Sequence, residues 1–269
     1  MSTPRRVALV VAYNGKSLHG FQYQNETIAT VQGHLEAALS QVADHEIRVS
    51  CAGRTDTGVH ATHQVIHFDT TASRPIKAWV FGANTHLPDF ISVNWAGEVS
   101  SEFDARFSAV ARRYLYLIYN SPVRSALLHD VLTRERRPLE EARMHAAGRA
   151  LLGEHDFSSF RSSECQSPTP WRNVHRLEVY RRGDLVVIDI TANAFLHHMV
   201  RNIAGVLMDI GAGAAEPGWA AEVLAARDRR CAAMTALPNG LYLVDVSYPE
   251  QFGIPGGPDL PHLYSTVAN

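Results

Sequence analysis

Residues 47–69 read IRVSCAGRTDTGVHATHQVIHFD. Ile47 to Ala52 and Gln64 to Asp69 are apolar, β-branched runs that read as strands. Between them lies the polar, glycine-bearing stretch Gly53 to His60. Upstream, Thr30 can cap a helix running to about Ala43, with Val31, Leu35, Ala38, Leu39 and Val42 on one stripe. Before it, Arg6 to Tyr13 is a strand that ends at the turn Asn14-Gly15. Downstream, Pro75 suits the first turn of a helix reaching about Thr85, Pro88-Asp89 breaks it, and Ile91 to Val99 is a strand. The order is β-α-β-β-α-β.

The second half repeats that order. Arg113 to Tyr119 is a strand and Leu139 to Leu152 a helix. His175 to Arg181 and Leu185 to Thr191 form a hairpin around Arg182-Gly183-Asp184, Phe195 to about Ile210 is a helix, and Leu241 to Val246 is the last strand. Trp219 to Ala226 adds a helix. The expected class is α/β (α+β): two ferredoxin-like βαββαβ halves sharing an extended, mainly antiparallel sheet, with helices packed on one face. The expected division is 1–105, 106–250 and a loose Pro/Gly-rich tail, 251–269.

The 269 residues are 46% hydrophobic and 19% charged, enough for a real core and unlike a disordered chain. No run approaches the roughly 18 apolar residues of a membrane span. Arg5-Arg6 followed by Val7 to Ala12 is too short for a secretion signal. Cys51, Cys165 and Cys231 form no CxxC, which points to a reducing cytoplasm. The net charge of -2 argues against a general nucleic-acid binder. Its distribution argues otherwise: residues 105–182 carry 14 Arg against 8 acids, and the flanks are acidic. Nearly all the basic residues are Arg, whose planar fork holds phosphates and stacks on bases.

The chemistry concentrates in Gly53-Arg54-Thr55-Asp56-Thr57-Gly58-Val59-His60-Ala61. Arg54 and Asp56 are two residues apart and share a side if the backbone is extended. An arginine beside an aspartate favours the ionised carboxylate, which can serve as nucleophile or base. On the residues alone, an Asx-turn with a surface ion pair is the favoured reading.

The whole string resembles the catalytic motif of the tRNA pseudouridine synthase A (TruA) family, GRTDxGVHA. Further segments resemble that family in the same order: Tyr13-Asn14-Gly15 with His19-Gly20-Phe21-Gln22; Thr30-Val31-Gln32-Gly33; Phe103 to Ala109; Arg112 to Tyr116; His155 to Arg161; Cys165-Gln166-Ser167; Phe195 to Asn202; and Gly240 to Leu243. The resemblance implies cofactor-free isomerisation of uridine to pseudouridine in the tRNA anticodon stem-loop, at positions 38–40, by a homodimer. It implies that Asp56 is the nucleophile and that Arg54 helps hold the target base out of the stack. It makes Tyr114 the active-site tyrosine, able to stack on the uracil, and Arg201 the arginine that pairs with the aspartate. Phe103, Asp104, Ala105, Arg106 and Phe107, together with Glu164, Cys165, Gln166, Ser167 and Pro168, resemble tRNA-contacting segments. Arg74 is a further candidate for a stem contact.

Four points stand beside the resemblance. His60, His63 and His67 have spacings that suit helical metal ligands but fall on a loop and a strand, and no metal is expected. Leu237-Pro238-Asn239 stands where the family usually has Pro-Glu before Gly240, which touches the packing of the last strand rather than the chemistry. The competing reading is a non-catalytic RNA-binding module with the same sheet architecture. A glycosidase would need a second positioned acid, and none is evident.

Overall fold

The computed structural model describes residues 4–266. The chain is mixed α+β, and its strands pair mostly antiparallel. It divides into two compact units: residues 4–110 with Leu243–Leu260, and Ala111–Tyr242 with residues 261–266.

The first unit holds β1 (Arg5–Tyr13), α1 (Val31–Ala43), β2 (Ser50–Cys51), β3 (His60–Thr70), α2 (Ile76–His86) and β4 (Ile91–Val99). Its strands lie in the order β4-β1-β3-β2, each antiparallel to its neighbour. That is the split βαβ arrangement expected from the element order. Val7 to Val11 are all buried, as befits a strand paired on both edges. Trp79 of α2 meets Phe68 of β3 edge-on at 5.1 Å, and Leu35 and Leu39 of α1 are fully buried. The expected strand from Ile47 contracts to Ser50–Cys51 for a local reason. The N–H of Ile47 donates to Ser40 Oγ (2.9 Å) and that of Val49 to Glu36 Oε1 (3.0 Å), so α1 takes donors a strand partner would need.

The second unit holds β5 (Ala111–Asn120), β6 (Thr133–Glu135), α3 (Glu141–Gly148), β7 (Gly153–Asp156), β8 (Trp171–Arg182), β9 (Leu185–Ala192), α4 (Met199–Gly211) and α5 (Trp219–Ala226). β5, β9, β8 and β7 pair antiparallel in that order, and β6 pairs parallel to β5. α4 begins at Met199 rather than Phe195, because His198 adopts a left-handed backbone (φ 62°) that helices exclude. The chain passes between the units within β10 (Leu241–Ser247). The departure at Leu237-Pro238-Asn239 is well tied in. Asn239 Nδ2 donates to the carbonyls of His129 and Leu132 (2.8 Å each), and the Tyr116 hydroxyl donates to Leu237 O (2.8 Å).

Residues 251–260, expected to be loose, are packed into the first unit. The Phe252 ring stands 5.2 Å from Phe103, Gly257 N donates to Asp245 Oδ1 (2.9 Å), and Asp259 N donates to Val244 O (3.0 Å). α6 (His262–Thr266) follows. The Tyr264 hydroxyl lies 2.9 Å from that of Tyr180, and the Arg182 guanidinium sits 4.2 Å above the Tyr264 ring. A few separated aromatic anchors and backbone bonds fix this segment, and neither leaves a periodic pattern. The end of the expected tail, 267–269, lies outside the described residues.

Candidate active site

In the first unit the loop between β2 and β3 is clamped along its length. The Thr55 side chain is buried, its hydroxyl 2.8 Å from that of Tyr13, and Thr55 O accepts from Phe21 N (3.0 Å). A register shift between Val11 and Tyr13 marks the end of β1, and such bulges re-aim side chains. Gln64 Nε2 donates to Gly53 O (2.6 Å) from the other side. Val59 N donates to Asp56 O (3.1 Å), closing a turn that uses Gly58 at φ 79°. Asp56 is thereby half-buried while Arg54 and Thr57 face solvent.

Two glycines make the clamp possible. A Cβ on Gly20, whose φ is 82°, would lie 2.7 Å from Thr55 O, and one on Gly15 would lie 2.0 Å from Val59 O. Gly20 O also accepts the first N–H of α1, from Val31 (3.2 Å), while Thr30 Oγ1 caps Gly33 N (3.2 Å). The helix start, the Gly20 turn and the Asp56 loop are therefore one hydrogen-bonded assembly.

The three histidines of β3 are committed elsewhere. His60 Nδ1 accepts from Gly15 N (3.0 Å), His63 Nδ1 lies 2.8 Å from Asp259 Oδ2, and His67 Nδ1 accepts from Ala105 N (3.0 Å). Burial, with the Arg6 guanidinium nearby, lowers the His67 pKa, keeping the ring neutral so that it can accept.

In the second unit, Tyr114 is buried on β5, with its ring edge-on to Phe195 at 5.0 Å. Arg201 is half-buried on α4. Its Nε donates to Ala236 O (2.8 Å) and its carbonyl accepts from Ala236 N (3.2 Å), a reciprocal pair that fixes the residue against the 233–237 segment.

The family model described as tRNA pseudouridine synthase matches residues 9–108 and 147–249. The chain belongs to the tRNA pseudouridine synthase family. It is 56% identical over 253 residues to the tRNA pseudouridine synthase A of Actinobacillus succinogenes, covering 94% of this chain and 96% of that one. It is 57% identical over 249 residues to that of Legionella pneumophila (93% and 95%), and 55% identical over 253 residues to that of Coxiella burnetii (94% and 97%). Asp56 and Arg201 fall inside the matched stretches. Tyr114 lies between them, so its assignment rests on the Arg112 to Tyr116 segment alone.

The tRNA pseudouridine synthase resemblance also singles out two contact segments. In the first, Phe103 is wholly buried against His67 and Tyr248, and the Tyr248 hydroxyl donates to Ala105 O (2.6 Å). Asp104 Oδ1 accepts from the N–H of Arg106 (2.8 Å) and of Phe107 (2.9 Å). Phe103, Asp104 and Ala105 thus form a rigid base, and Arg106 and Phe107 project from it as an exposed pair, the guanidinium 5.3 Å from the ring centroid. Burial pushes the nearby Cys51 thiol up to about 12, against the opposing influence of Arg54 and Arg106, so both singled-out guanidiniums bear on one locality. Arg74 is exposed but donates through Nε to Val42 O (2.9 Å) near the end of α1, a bond that stabilises the helix terminus.

In the second segment, Glu164, Gln166 and Pro168 are exposed and Cys165 and Ser167 half-buried. The residues that shape it were not singled out from sequence. Arg161 Nη2 donates to the carbonyls of Cys165 (2.7 Å) and Ser167 (2.8 Å), and Arg172 Nη2 donates to Ser167 Oγ (2.7 Å). Burial raises the Cys165 pKa, but the N–H bond from His197 to its sulfur and the Arg161 guanidinium outweigh it, and the net shift is down. Tyr13 and Gln64 were likewise missed as loop clamps. The available signal was a glutamine opening the apolar run Val65-Ile66 on β3.

In this tRNA pseudouridine synthase the cluster Arg134, Arg136 and Arg137 is partly neutralised. Arg137 pairs with Glu135 (2.8 Å) and Asp209 (3.0 Å), and Arg134 is tied to the carbonyls of Ser121 and Pro122.

Proposed function

We propose that the protein isomerises uridine to pseudouridine at positions 38–40 of the tRNA anticodon stem-loop, with Asp56 as nucleophile. The observation that carries the reading is the placement of Asp56, half-buried in the GRTDTGVHA loop, whose backbone is held before it at Gly53 by Gln64 and at Thr55 by Tyr13, and after it by the turn from Val59 N to Asp56 O. A loop backbone held this way restricts where its carboxylate can lie before substrate arrives.

The reaction breaks N1–C1′, turns the uracil, joins C5 to C1′ and releases the C5 proton while N1 gains one. Nothing is oxidised or reduced and no group is lost, so the chemistry calls for no cofactor. Asp56 attacks at C1′ or adds at C6, and either course returns the carboxylate at the end. Arg54, exposed beside it, is suited to a phosphate or to the space left by an extruded base. Tyr114 supplies a ring for the uracil, and Arg201 keeps the charge role that the resemblance implies. The Arg106–Phe107 pair and the Glu164–Pro168 segment grip the RNA around the target.

The partner is tRNA, bound by a homodimer in the cytoplasm. No helix among the described residues is long and apolar enough to cross a membrane, and the three cysteines are unpaired, which accords with a reducing compartment. Anticodon stem-loops with uridine at 38, 39 and 40 should yield pseudouridine on nucleoside digestion after incubation with the protein, and light scattering should give twice the chain mass. RNA that binds but keeps its uridine would replace the isomerase reading with the binding-module one.

A further inference from the structure

An open cavity of about 620 Å³ lies in the second unit, walled by residues that include Arg161, Arg229 and Arg230, Ser162 and Ser163, and His198. Among the described residues that line it, none is acidic. Two of the three guanidiniums have only neutral partners there. Arg161 is bonded to carbonyls. Arg229 Nη2 donates to Asn202 Oδ1 (3.1 Å) and Thr235 Oγ1 (3.0 Å).

The wall is built rather than incidental. Asn202 is fully buried and anchored by its own Nδ2 bond to Phe160 O (2.7 Å), and Thr235 Oγ1 donates to Asn202 Oδ1 (2.7 Å). Burial lowers the Arg229 pKa, the mark of a cation withdrawn from water with no carboxylate to offset it. Arg230, the outermost, is paired to Asp228 at 2.6 Å. Half-buried guanidiniums with neutral partners, joined by hydroxyl donors, suit a tetrahedral oxyanion. Arg161 connects the cavity to the substrate side, since the same guanidinium holds Cys165 and Ser167.

We propose that this cavity seats a backbone phosphate of the tRNA next to the nucleotides met by Glu164–Pro168. The proposal rests on the reading of tRNA as substrate. The test is tRNA binding as a function of salt for the wild type, Arg229→Gln and Ser163→Asp. Ser163 is exposed and carries none of the network, so Ser163→Asp adds a negative charge where Arg229→Gln removes a positive one.

Both variants should melt with the wild type and bind tRNA about tenfold more weakly. Arg229→Gln should also lower the slope of log affinity against log salt by about 0.7–0.9, the loss of one phosphate contact. If Arg229→Gln fails to fold, the Ser163→Asp affinity decides. Wild-type affinity and slope in folded variants would overturn the proposal. So would loss of inorganic phosphate binding, measured by calorimetry, with tRNA binding unaltered, because the cavity would then serve a free anion. Release of the C5 proton by the wild type is followed separately. Its absence would sink the isomerase reading and leave the salt slope to judge the phosphate site.

Discussion

The Tyr13 hydroxyl lies 2.8 Å from the Thr55 hydroxyl, with both side chains buried, so the end of β1 holds the residue immediately before Asp56. Tyr13→Phe keeps the ring and removes one partner from a buried hydroxyl. The expected cost is about 1–3 kcal/mol in urea unfolding. If the bond positions the loop, kcat falls while tRNA affinity stays within about twofold. A destabilised variant with unaltered kcat would limit the bond to stability.

Gly20→Ala tests the other clamp. The new methyl would have to sit 2.7 Å from Thr55 O on a backbone at φ 82°, so the turn or the loop must move. A stability loss of about 1–3 kcal/mol is expected, with a larger loss of kcat than Tyr13→Phe causes. Alanine at Gly213, also at positive φ but with open space around its Cβ position, is the control for backbone strain alone.

The Arg6–Asp69 pair gives a pH dependence with a defined sign. Two parallel bonds of 2.7 Å from the Arg6 guanidinium hold the Asp69 carboxyl below its usual range. A folded pKa below the unfolded one stabilises fully above about pH 4 and loses that contribution as pH falls through the folded value. Asp69→Asn should lower stability at neutral pH and flatten the decline in stability below about pH 4. A decline as steep as in the wild type would assign acid sensitivity to other groups.

The thiols should differ in reactivity. Burial pushes Cys51 up to about 12, whereas the His197 N–H and Arg161 bring Cys165 down despite its partial burial. In a Cys231→Ser background at pH 8, iodoacetamide should modify Cys165 well before Cys51, because the thiolate is the nucleophile. Mass spectrometry of tryptic peptides reads the order, and tRNA should slow the Cys165 reaction if the Glu164–Pro168 segment meets RNA.

What could be read from the sequence was whatever repeats or caps locally. Thr30 announces α1, Pro75 opens α2, and the alternation of two β-α-β-β-α-β blocks carries the element order. The Asp56 loop was visible as a polar, glycine-bearing interruption between strands. The clamps were not, because Tyr13, Gln64 and Thr55 meet through pairings of β1 with β3 that join residues about fifty positions apart. The short strands β6 and β7 were missed for the same reason, since three or four residues are too few to show a period. The left-handed His198 that delays α4 has no cue in residue type, histidine being permitted in either conformation.

The central claim is that the Asp56 carboxylate is the reacting group. With tRNA tritiated at uridine C5, the wild type should release tritium and Asp56→Asn should release none at any enzyme concentration while binding tRNA within about tenfold of the wild type. Sustained tritium release by a folded Asp56→Asn variant would contradict the account.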